Sequence, residues 1–140
     1  MEIVMIVSLW MAEDGGMLFN NRRISRDSEV ISDLGALASD SVIFISDFSS
    51  KLFRDAPFSV IESSNPLECA GAGDYVFIEN LRIKPYIEKT EKLIIYKWGD
   101  KYPSDFKFDI SPEKEGFKLC ESYEFSGKAH EKITREIWVR

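Results

Sequence analysis

The first part of the chain that could do chemistry is a stretch with both basic and acidic side chains. Arg22, Arg23 and Arg26 lie close together, and Asp27 and Glu29 follow them. Guanidinium groups in such a cluster can receive a phosphate or a carboxylate of a ligand, although solvated loop charges are the ordinary interpretation. The two acids fall where a helix is predicted to begin, so they also suit the positive end of a helix dipole. The residues alone leave both interpretations open.

Two further polar clusters follow predicted strands. The run Ser63-Ser64-Asn65-Pro66 comes after one strand, and its residue types are typical of a turn. Glu79 and Asn80 come after another strand, and Asn80 can cap a helix that begins at Leu81. Each cluster therefore offers polar groups to a ligand and also has a structural explanation.

The remaining reactive residues carry weaker signals. His130, the only histidine, lies in a polar linker between two predicted strands, where we expect a surface residue rather than a catalyst. Cys69 and Cys120 have no spacing typical of a metal site. We therefore expect two reduced structural cysteines and no metal.

Length and composition limit the functions that these residues can serve. The 140 residues are expected to form one domain, 1–140, whose hydrophobic core is large enough to be stable without disulfides or a structural metal. A net charge of −6 argues against a general binder of nucleic acid or of anionic membranes. No run reaches the ~20 apolar residues of a membrane span, and Glu2 rather than a basic region precedes the first apolar run, so no secretory signal is expected. The expected compartment is the cytoplasm.

The element that must position these clusters is a buried strand over 3–12, which reads Ile-Val-Met-Ile-Val-Ser-Leu-Trp-Met-Ala. It is nearly all apolar and is followed by an acidic-glycine turn, which favours a strand covered on both faces in the middle of a sheet. Trp10 within it, and Trp138 near the end of the sequence, are expected to pack in the core or on the sheet. Trp98 is expected at the surface, in a contact patch.

Strands and helices alternate after this strand. A helix is predicted from Ser25 or Asp27 to Leu37. Further strands are predicted over 41–46, 58–61, 75–78 and 93–96, further helical segments over 49–53 and 81–92, and loops over 15–26 and 100–115. The segments 117–125 and 133–139 then read as an antiparallel hairpin. This order predicts an α/β domain with a mostly parallel central sheet flanked by helices and a C-terminal antiparallel hairpin.

That order resembles the dihydrofolate reductase superfamily, which includes the pyrimidine reductases of riboflavin synthesis. The first strand and its acidic-glycine turn are similar to the family's first strand and the start of its substrate loop. The run 60–66, Val-Ile-Glu-Ser-Ser-Asn-Pro, is similar to the family's strand that ends in Ser-Ser before a turn. Residues 24–45 are similar to the helix and strand that follow the substrate loop, and 117–140 to the terminal hairpin. The resemblance covers most of the chain.

The resemblance implies a divergent NADPH-dependent reductase of a pteridine or pyrimidine ring. In the family, an acid at the start of the first helix holds the ring, because a carboxylate offers two oxygens to a ring N–H and an exocyclic amine. Glu29 is the candidate for this role and Asp27 is the alternative. The tryptophan and proline that precede this acid in the family are absent, and arginines occupy that region.

The resemblance also suggests a cofactor site. It implies that Ser63 and Ser64 meet the 2′-phosphate of NADPH and that Ser49 opens the helix beneath the cofactor. The family's Gly-Gly pair after the fourth strand lets the backbone approach the pyrophosphate, but Glu79 and Asn80 replace it here. A glutamate at that point is expected to turn a negative charge toward the phosphates. We therefore expect NADPH to bind weakly or not at all.

Two functions from different classes remain. One is a reductase in which Glu29 anchors the ring, and a bound water or the substrate itself supplies the proton. The other is a family member without catalysis that serves as a binding protein or interacts with a protein partner. Glu29 and the Ser63-Ser64 pair favour the reductase, whereas the Glu79-Asn80 pair and the missing tryptophan favour the binding protein.

Overall fold

The structure is a computed structural model that describes residues 5–99 and 101–140. Its strands are β1 (Met5–Met11), β2 (Gly16–Phe19), β3 (Arg22–Arg23), β4 (Ile43–Ile45), β5 (Val60–Glu62), β6 (Tyr75–Ile78), β7 (Thr90–Trp98), β8 (Phe106–Lys107), β9 (Lys118–Phe125) and β10 (Ile133–Val139). Its helices are α1 (Ser28–Ala38), α2 (Pro66–Cys69) and two 3₁₀ helices, Asp47–Phe53 and Lys84–Lys89. Ile3 and Val4 of the predicted first strand, and Asp100 of a predicted loop, lie outside the described residues.

Seven strands form the main sheet in the order β5-β4-β6-β1-β7-β10-β9. β1 pairs in parallel with β6 and β7, and β4 pairs in parallel with β5 and β6. β10 runs antiparallel to both β7 and β9. The predicted α/β class is confirmed, with a mostly parallel sheet, β1 at its centre and an antiparallel C-terminal hairpin.

Burial on both faces explains the apolar sequence of β1, whose seven residues are all buried. Side chains alternate along a strand, so Val7 and Leu9 point to one face and join an apolar cluster with α2 and the second 3₁₀ helix. Ile6 and Trp10 point to the other face and pack with α1. Ser8 is fully buried, and its hydroxyl has no hydrogen-bond partner in the described part of the chain.

α1 begins where the sequence predicts. Asp27 is its N-cap, with extended backbone, and the side chain accepts a hydrogen bond from the backbone N–H of Glu29 at 3.0 Å. The buried face of the helix comprises Val30, Ile31, Leu34, Gly35 and Ala38. This face packs on the side of the sheet that carries Trp10, so the start of α1 lies beside the carboxyl end of β1.

The segment 15–26, predicted as a loop, instead forms a hairpin of β2 and β3. Asn20 and Asn21 turn it with positive φ angles of 53° and 59°, which suit a two-residue hairpin and which asparagine tolerates. β8, inside the predicted loop 100–115, adds a third strand to this small sheet. The Asn-Asn pair was therefore the sequence signal for a hairpin.

The predicted helix over 81–92 is correct over only half of its length. Only Lys84–Lys89 is helical, as a 3₁₀ helix, and β7 already begins at Thr90. Before the helix, Ile83 donates its backbone N–H to the carboxylate of Asp109 at 3.1 Å. A local helical pattern is overridden here by contacts with distant residues.

Candidate functional site

The candidate site lies at the carboxyl ends of the parallel strands. Ligands of open α/β sheets bind at this edge, where the strand order reverses. β6 ends at Ile78 and is followed by Glu79; β4 ends at Ile45 and is followed by Ser46. Trp10 is near the end of β1. The sequence-predicted residues Ser49, Glu79 and Asn80 meet here.

Glu79 is the centre of a buried network at this edge and is 1% exposed. Its carboxylate accepts hydrogen bonds from the indole N–H of Trp10 at 3.1 Å and from the hydroxyl of Ser49 at 2.7 Å. Arg23 binds it through two nitrogens, Nε at 2.5 Å and Nη2 at 2.7 Å. Each partner comes from a different element, so Glu79 joins β1, β3, β6 and the first 3₁₀ helix.

This geometry corrects the expectation that Glu79 turns a bare charge toward phosphates. The carboxylate points into the protein, and the Arg23 guanidinium compensates its charge. Arg23 also donates to the carbonyl of Phe48 at 3.3 Å and lies over the Phe48 ring, 5.2 Å from its centroid. The β2–β3 hairpin is thereby fastened to the sheet edge.

The other predicted cofactor residues form hydrogen bonds with other parts of the chain. Asn80 does not cap a helix: its side-chain oxygen accepts a hydrogen bond from the Ser46 hydroxyl at 3.3 Å. The hydroxyl of Ser63 accepts a hydrogen bond from the backbone N–H of Asn65 at 3.2 Å. Ser64 is exposed beside it. The structure therefore brings Ser49, Glu79 and Asn80 together. The Ser63-Ser64 turn lies at the same edge of the sheet, where the backbone N–H of Ser63 donates to the carbonyl of Ile45 at 2.9 Å.

Asp27 is the second buried acid near this edge and is 2% exposed. Besides the N–H of Glu29, its carboxylate accepts the backbone N–H groups of Lys128 at 2.9 Å, Ala129 at 2.8 Å and His130 at 3.1 Å. A fifth hydrogen bond joins it to Nδ1 of His130 at 3.0 Å. Five donors from the chain therefore surround the two carboxylate oxygens, which leaves no acceptor site for a ligand.

These hydrogen bonds control the ionisation of Asp27. Burial alone raises the pKa of its carboxyl group. The bonds from the Lys128 backbone, the His130 ring and the Glu29 and Ala129 backbones outweigh burial and lower the pKa to about 2. Asp27 is therefore a carboxylate at neutral pH.

The prediction that His130 is a surface residue is wrong, since it is 6% exposed. Its ring stacks on Trp98 with centroids 4.1 Å apart, and its Nε2 lies 2.7 Å from the hydroxyl oxygen of Ser25. Trp98 is 1% exposed and is likewise not a surface residue. The linker looks polar because its backbone N–H groups, rather than apolar side chains, fold it onto Asp27.

Gly127 gives the one local signal for this arrangement. A Cβ atom at this position would lie 2.3 Å from an Asp27 carboxylate oxygen and 2.5 Å from Ile133. Any other residue would push the linker off the carboxylate. A glycine in a hairpin linker has many ordinary explanations, so the sequence alone did not identify the contact.

Aromatic side chains fill the space between β1, β7 and α1. Trp10 packs against Trp98 with centroids 5.1 Å apart and against the edge of Phe77 at 5.2 Å. His130 continues the stack beyond Trp98. The predicted core position of Trp10 is confirmed, and Trp138 is also buried at 9% exposure.

A cavity of about 400 Å³ opens beside the start of α1. It is lined by Arg26, Asp27, Ser28, Ile31, Lys51, Leu52, Lys128 and Ala129. Three of these residues are cationic, and the one acid among them is bound internally. The cavity therefore combines positive charge with the apolar side chains of Ile31 and Leu52.

The two predicted ring anchors lie on different sides of α1. Asp27 lines the cavity, whereas Glu29 lines a shallow depression with Asp33, Tyr123 and Phe125. Of the predicted arginine trio, Arg26 lines the cavity and Arg23 binds Glu79. Arg22 is exposed on β3.

The described residues show neither a candidate metal site nor a candidate membrane-spanning helix. No group of three or more His, Cys, Asp or Glu residues within 5–99 and 101–140 could hold a metal ion. In the same ranges, no helix has the length and apolar character needed to cross a bilayer. Cys69 and Cys120 are both free thiols and are exposed.

The fold is similar to that of dihydrofolate reductase. No family model and no curated protein matches the chain, but 268 chains of known structure do. One of them is dihydrofolate reductase from Enterococcus faecalis in complex with NADP(H) and RAB-propyl. It superposes with a TM-score of 0.67 over 97% of this chain and 96% of that chain, at 10% sequence identity. The predicted dihydrofolate reductase-like fold is confirmed.

Proposed function

We propose that this chain is a binding protein with the dihydrofolate reductase fold that does not carry out the reductase reaction. The observation that supports this most is the Glu79 network. Where a dinucleotide would meet the strand ends, Glu79, Arg23, Trp10 and Ser49 bind one another. A cofactor phosphate would have to break a buried ion pair to enter.

The second support for this proposal comes from the expected ring site. Trp10, Trp98 and His130 fill the space between β1, β7 and α1. Asp27 accepts all its hydrogen bonds from the chain, and Glu29 lies away from the cavity. A ring inserted as in a reductase would therefore find the space between β1, β7 and α1 filled and would meet no free carboxylate in the cavity.

The ligand that we propose is a small anion with an apolar part, bound in the cavity beside α1. Arg26, Lys51 and Lys128 give the cavity its positive charge, and Ile31 and Leu52 give it an apolar surface. Guanidinium and ammonium groups favour carboxylate or phosphate. An aryl carboxylate or aryl phosphate combines both features.

The alternative is a divergent NADPH-dependent reductase of a pteridine or pyrimidine ring. The observation that favours it is the position of the cavity, which lies at the start of the helix that supplies the ring anchor in the resemblance. The Enterococcus faecalis protein was solved with NADP(H), which makes NADPH the cofactor to test. The two proposals differ in their ligands, so binding measurements separate them.

Titration calorimetry with the intact chain tests the proposal. We expect no heat of binding with NADPH or dihydrofolate at concentrations up to about 1 mM, and measurable binding of an aryl carboxylate or aryl phosphate. A dihydrofolate reductase titrated in parallel is the positive control. NADPH binding at micromolar affinity would contradict the proposal and support the reductase.

Paired variants locate the ligand. Lys51→Gln combined with Lys128→Gln should weaken binding of the aryl anion by about 10- to 100-fold, the range for lost hydrogen bonds to charged groups. Lys118→Gln, on the exposed strand β9, is the control and should have no effect. Glu29→Gln should also leave the affinity unchanged, whereas it should weaken a ring ligand by about 10-fold or more if the reductase alternative holds.

A further inference from the structure

Three side chains beside the cavity lie in a row: the fold explains the contact of Asp27 with His130, but neither the fold nor the proposed binding explains why Ser25 lies at the other nitrogen of the ring. The hydroxyl oxygen of Ser25 is 2.7 Å from Nε2 of His130. On the other side of the ring, Nδ1 of His130 is 3.0 Å from a carboxylate oxygen of Asp27. A nucleophile, a base within hydrogen-bond reach and an acid that orients the base form the arrangement of a catalytic triad.

We propose that Ser25, His130 and Asp27 form a nucleophilic serine site that cleaves carboxylic esters carrying an anionic group. In this proposal Ser25 is the nucleophile and His130 the general base. Asp27 is a positioning residue, since its carboxylate hydrogen-bonds Nδ1 of the imidazole and orients the ring. This activity goes beyond the proposed binding function and uses the same cavity only for the anionic part of the ester.

The hydrogen bonds determine which nitrogen of His130 carries the proton. An ionised carboxylate only accepts hydrogen bonds, so Nδ1 must donate to Asp27. In the neutral imidazole Nε2 is then the acceptor, and it faces the hydroxyl of Ser25. This is the tautomer that a general base needs in order to take the serine proton.

Burial and stacking hold the base in place. The side chains of Asp27 and His130 are 0% and 4% exposed, and the imidazole stacks on Trp98 at an interplanar angle of 11°. Ser25 is only partly buried. The acid and the base are therefore shielded from water, while the nucleophilic end of the row is accessible.

The cavity gives the substrate class. Arg26 is next to Ser25 in the sequence, and Ala129 is next to His130. Arg26 and Ala129 both line the cavity. An ester bound there would lie beside the serine, with its anionic group near Arg26, Lys51 or Lys128. Positive charge and an apolar wall suit an aryl or alkyl ester that carries a carboxylate or phosphate.

The reaction is balanced with water as the only other reactant. The Ser25 oxygen forms a bond to the ester carbonyl carbon as its proton passes to Nε2 of His130. The bond from that carbon to the alcohol oxygen breaks, and the alcohol leaves with the proton from His130. Water then repeats the sequence on the acyl-serine: it releases the acid and returns the proton to Ser25.

The first experiment uses a neutral fluorophosphonate probe, which labels activated serines and does not need the cationic cavity. We expect one adduct per chain, located on Ser25 by mass spectrometry of peptides. Ser25→Ala should abolish it, and Ser122→Ala, on exposed β9, should retain it. An adduct on another residue, or equal labelling of Ser25→Ala, would overturn the proposal.

A second variant keeps the test decisive if the probe does not fit. Ser25→Cys replaces the nucleophile by a thiol that His130 would activate to a thiolate. We expect iodoacetamide to alkylate residue 25 of this variant at least 10-fold faster than the exposed Cys69 and Cys120 at pH 6. Alkylation no faster than theirs, with no probe label in the native chain, would show that the row is purely structural.

Ester hydrolysis and aryl carboxylate binding are then both measured for the native chain and for Ser25→Ala. The native chain should cleave a p-nitrophenyl ester that carries a carboxylate at least 100-fold faster than Ser25→Ala does. Calorimetry with the aryl carboxylate should give the same affinity for both, since Ser25 is not among the cavity-lining residues. A native chain that is labelled at Ser25 but does not bind the aryl carboxylate would contradict the proposed function alone. Equal hydrolysis by the two proteins would contradict the serine site alone.

Discussion

Asp27 shows how much of this fold one side chain can determine. It caps α1 by accepting the N–H of Glu29, and it accepts three backbone N–H groups of the linker that joins β9 to β10. Its role as a cap was predictable, because capping depends on neighbours in the sequence. Its hydrogen bonds to Lys128 and His130 could not be predicted, because those residues are about one hundred positions away and no local sequence pattern points to them.

The stability of the protein should depend on pH through Asp27. The pKa of this carboxyl is 3.8 as an ordinary aspartate and about 2 in the folded protein. A lowered pKa stabilises the fold above the unfolded value, so this contribution is present above about pH 4 and is lost as the pH falls toward 2. The shift corresponds to about 2 kcal/mol.

We expect Asp27→Asn to lower the free energy of unfolding by at least about 2 kcal/mol at pH 7. Because the substitution removes the titrating group, the loss should shrink as the pH is lowered toward 2. Urea unfolding at a series of pH values measures both effects. Asp55→Asn, at an exposed position, is the matched control; a similar pH dependence in that variant would contradict the assignment to Asp27.

At the scale of elements, the Glu79 network holds the hairpin, the central strand and the first 3₁₀ helix together. The sequence showed that a glutamate follows the predicted strand over 75–78 and that arginines lie in the segment before α1. It did not show that Glu79 and Arg23 would meet. The segment 15–26 was predicted as a loop, and a loop has no strand register that would place Arg23. Arg23 faces the sheet only because the Asn20-Asn21 turn fixes that register.

We expect Glu79→Ala to lower the free energy of unfolding by about 3 kcal/mol. The substitution leaves the Arg23 guanidinium, the Trp10 indole N–H and the Ser49 hydroxyl without their acceptor, and breaking a buried pair on one side costs about 3–5 kcal/mol. The lower end applies because the Arg23 side chain is 20% exposed. Thermal and urea unfolding measure the loss, with Glu62→Ala at an exposed position as control.

Replacing Glu79 and Asn80 together with glycine should not restore NADPH binding. The obstacle in the structure is a network of four side chains, so removing the glutamate leaves Arg23 and Trp10 in place and weakens the fold. Calorimetry of the double variant at low temperature, where it remains folded, measures this. Micromolar NADPH binding would show instead that the glutamate alone blocks a cofactor groove that is otherwise intact.

At the scale of the whole molecule, the alternation of strands and helices was enough to predict the fold class and the central place of β1. The order of the outer strands could not be predicted, because the pattern of one strand does not say which neighbour it pairs with. The end of the helix predicted over 81–92 was wrong for the same reason: Thr90 belongs to β7 and pairs with Met5 of β1. Long-range pairing determines what local propensity leaves open.

Val7→Asp should prevent the chain from folding. Val7 is fully buried in the central strand, and an unpaired carboxylate there costs several kcal/mol, comparable to the stability of a whole domain. Leu119→Asp, on exposed β9 where the side chain is 49% exposed, should remain soluble and folded. The yield of soluble protein and the far-UV circular dichroism of both variants provide the comparison.

The place of β1 also has a consequence for the time at which the protein can fold in the cell. Its two hydrogen-bonded neighbours are β6 and β7, and β7 ends at Trp98, about 90 residues after β1 is made. At about 5–20 residues per second, the ribosome needs roughly 5–20 s to supply both. Until β6 is complete at Ile78 the most apolar strand of the sheet has neither neighbour, and it lacks β7 until the interval ends. The nascent chain must therefore be kept from aggregating until the second half of the sheet is synthesised.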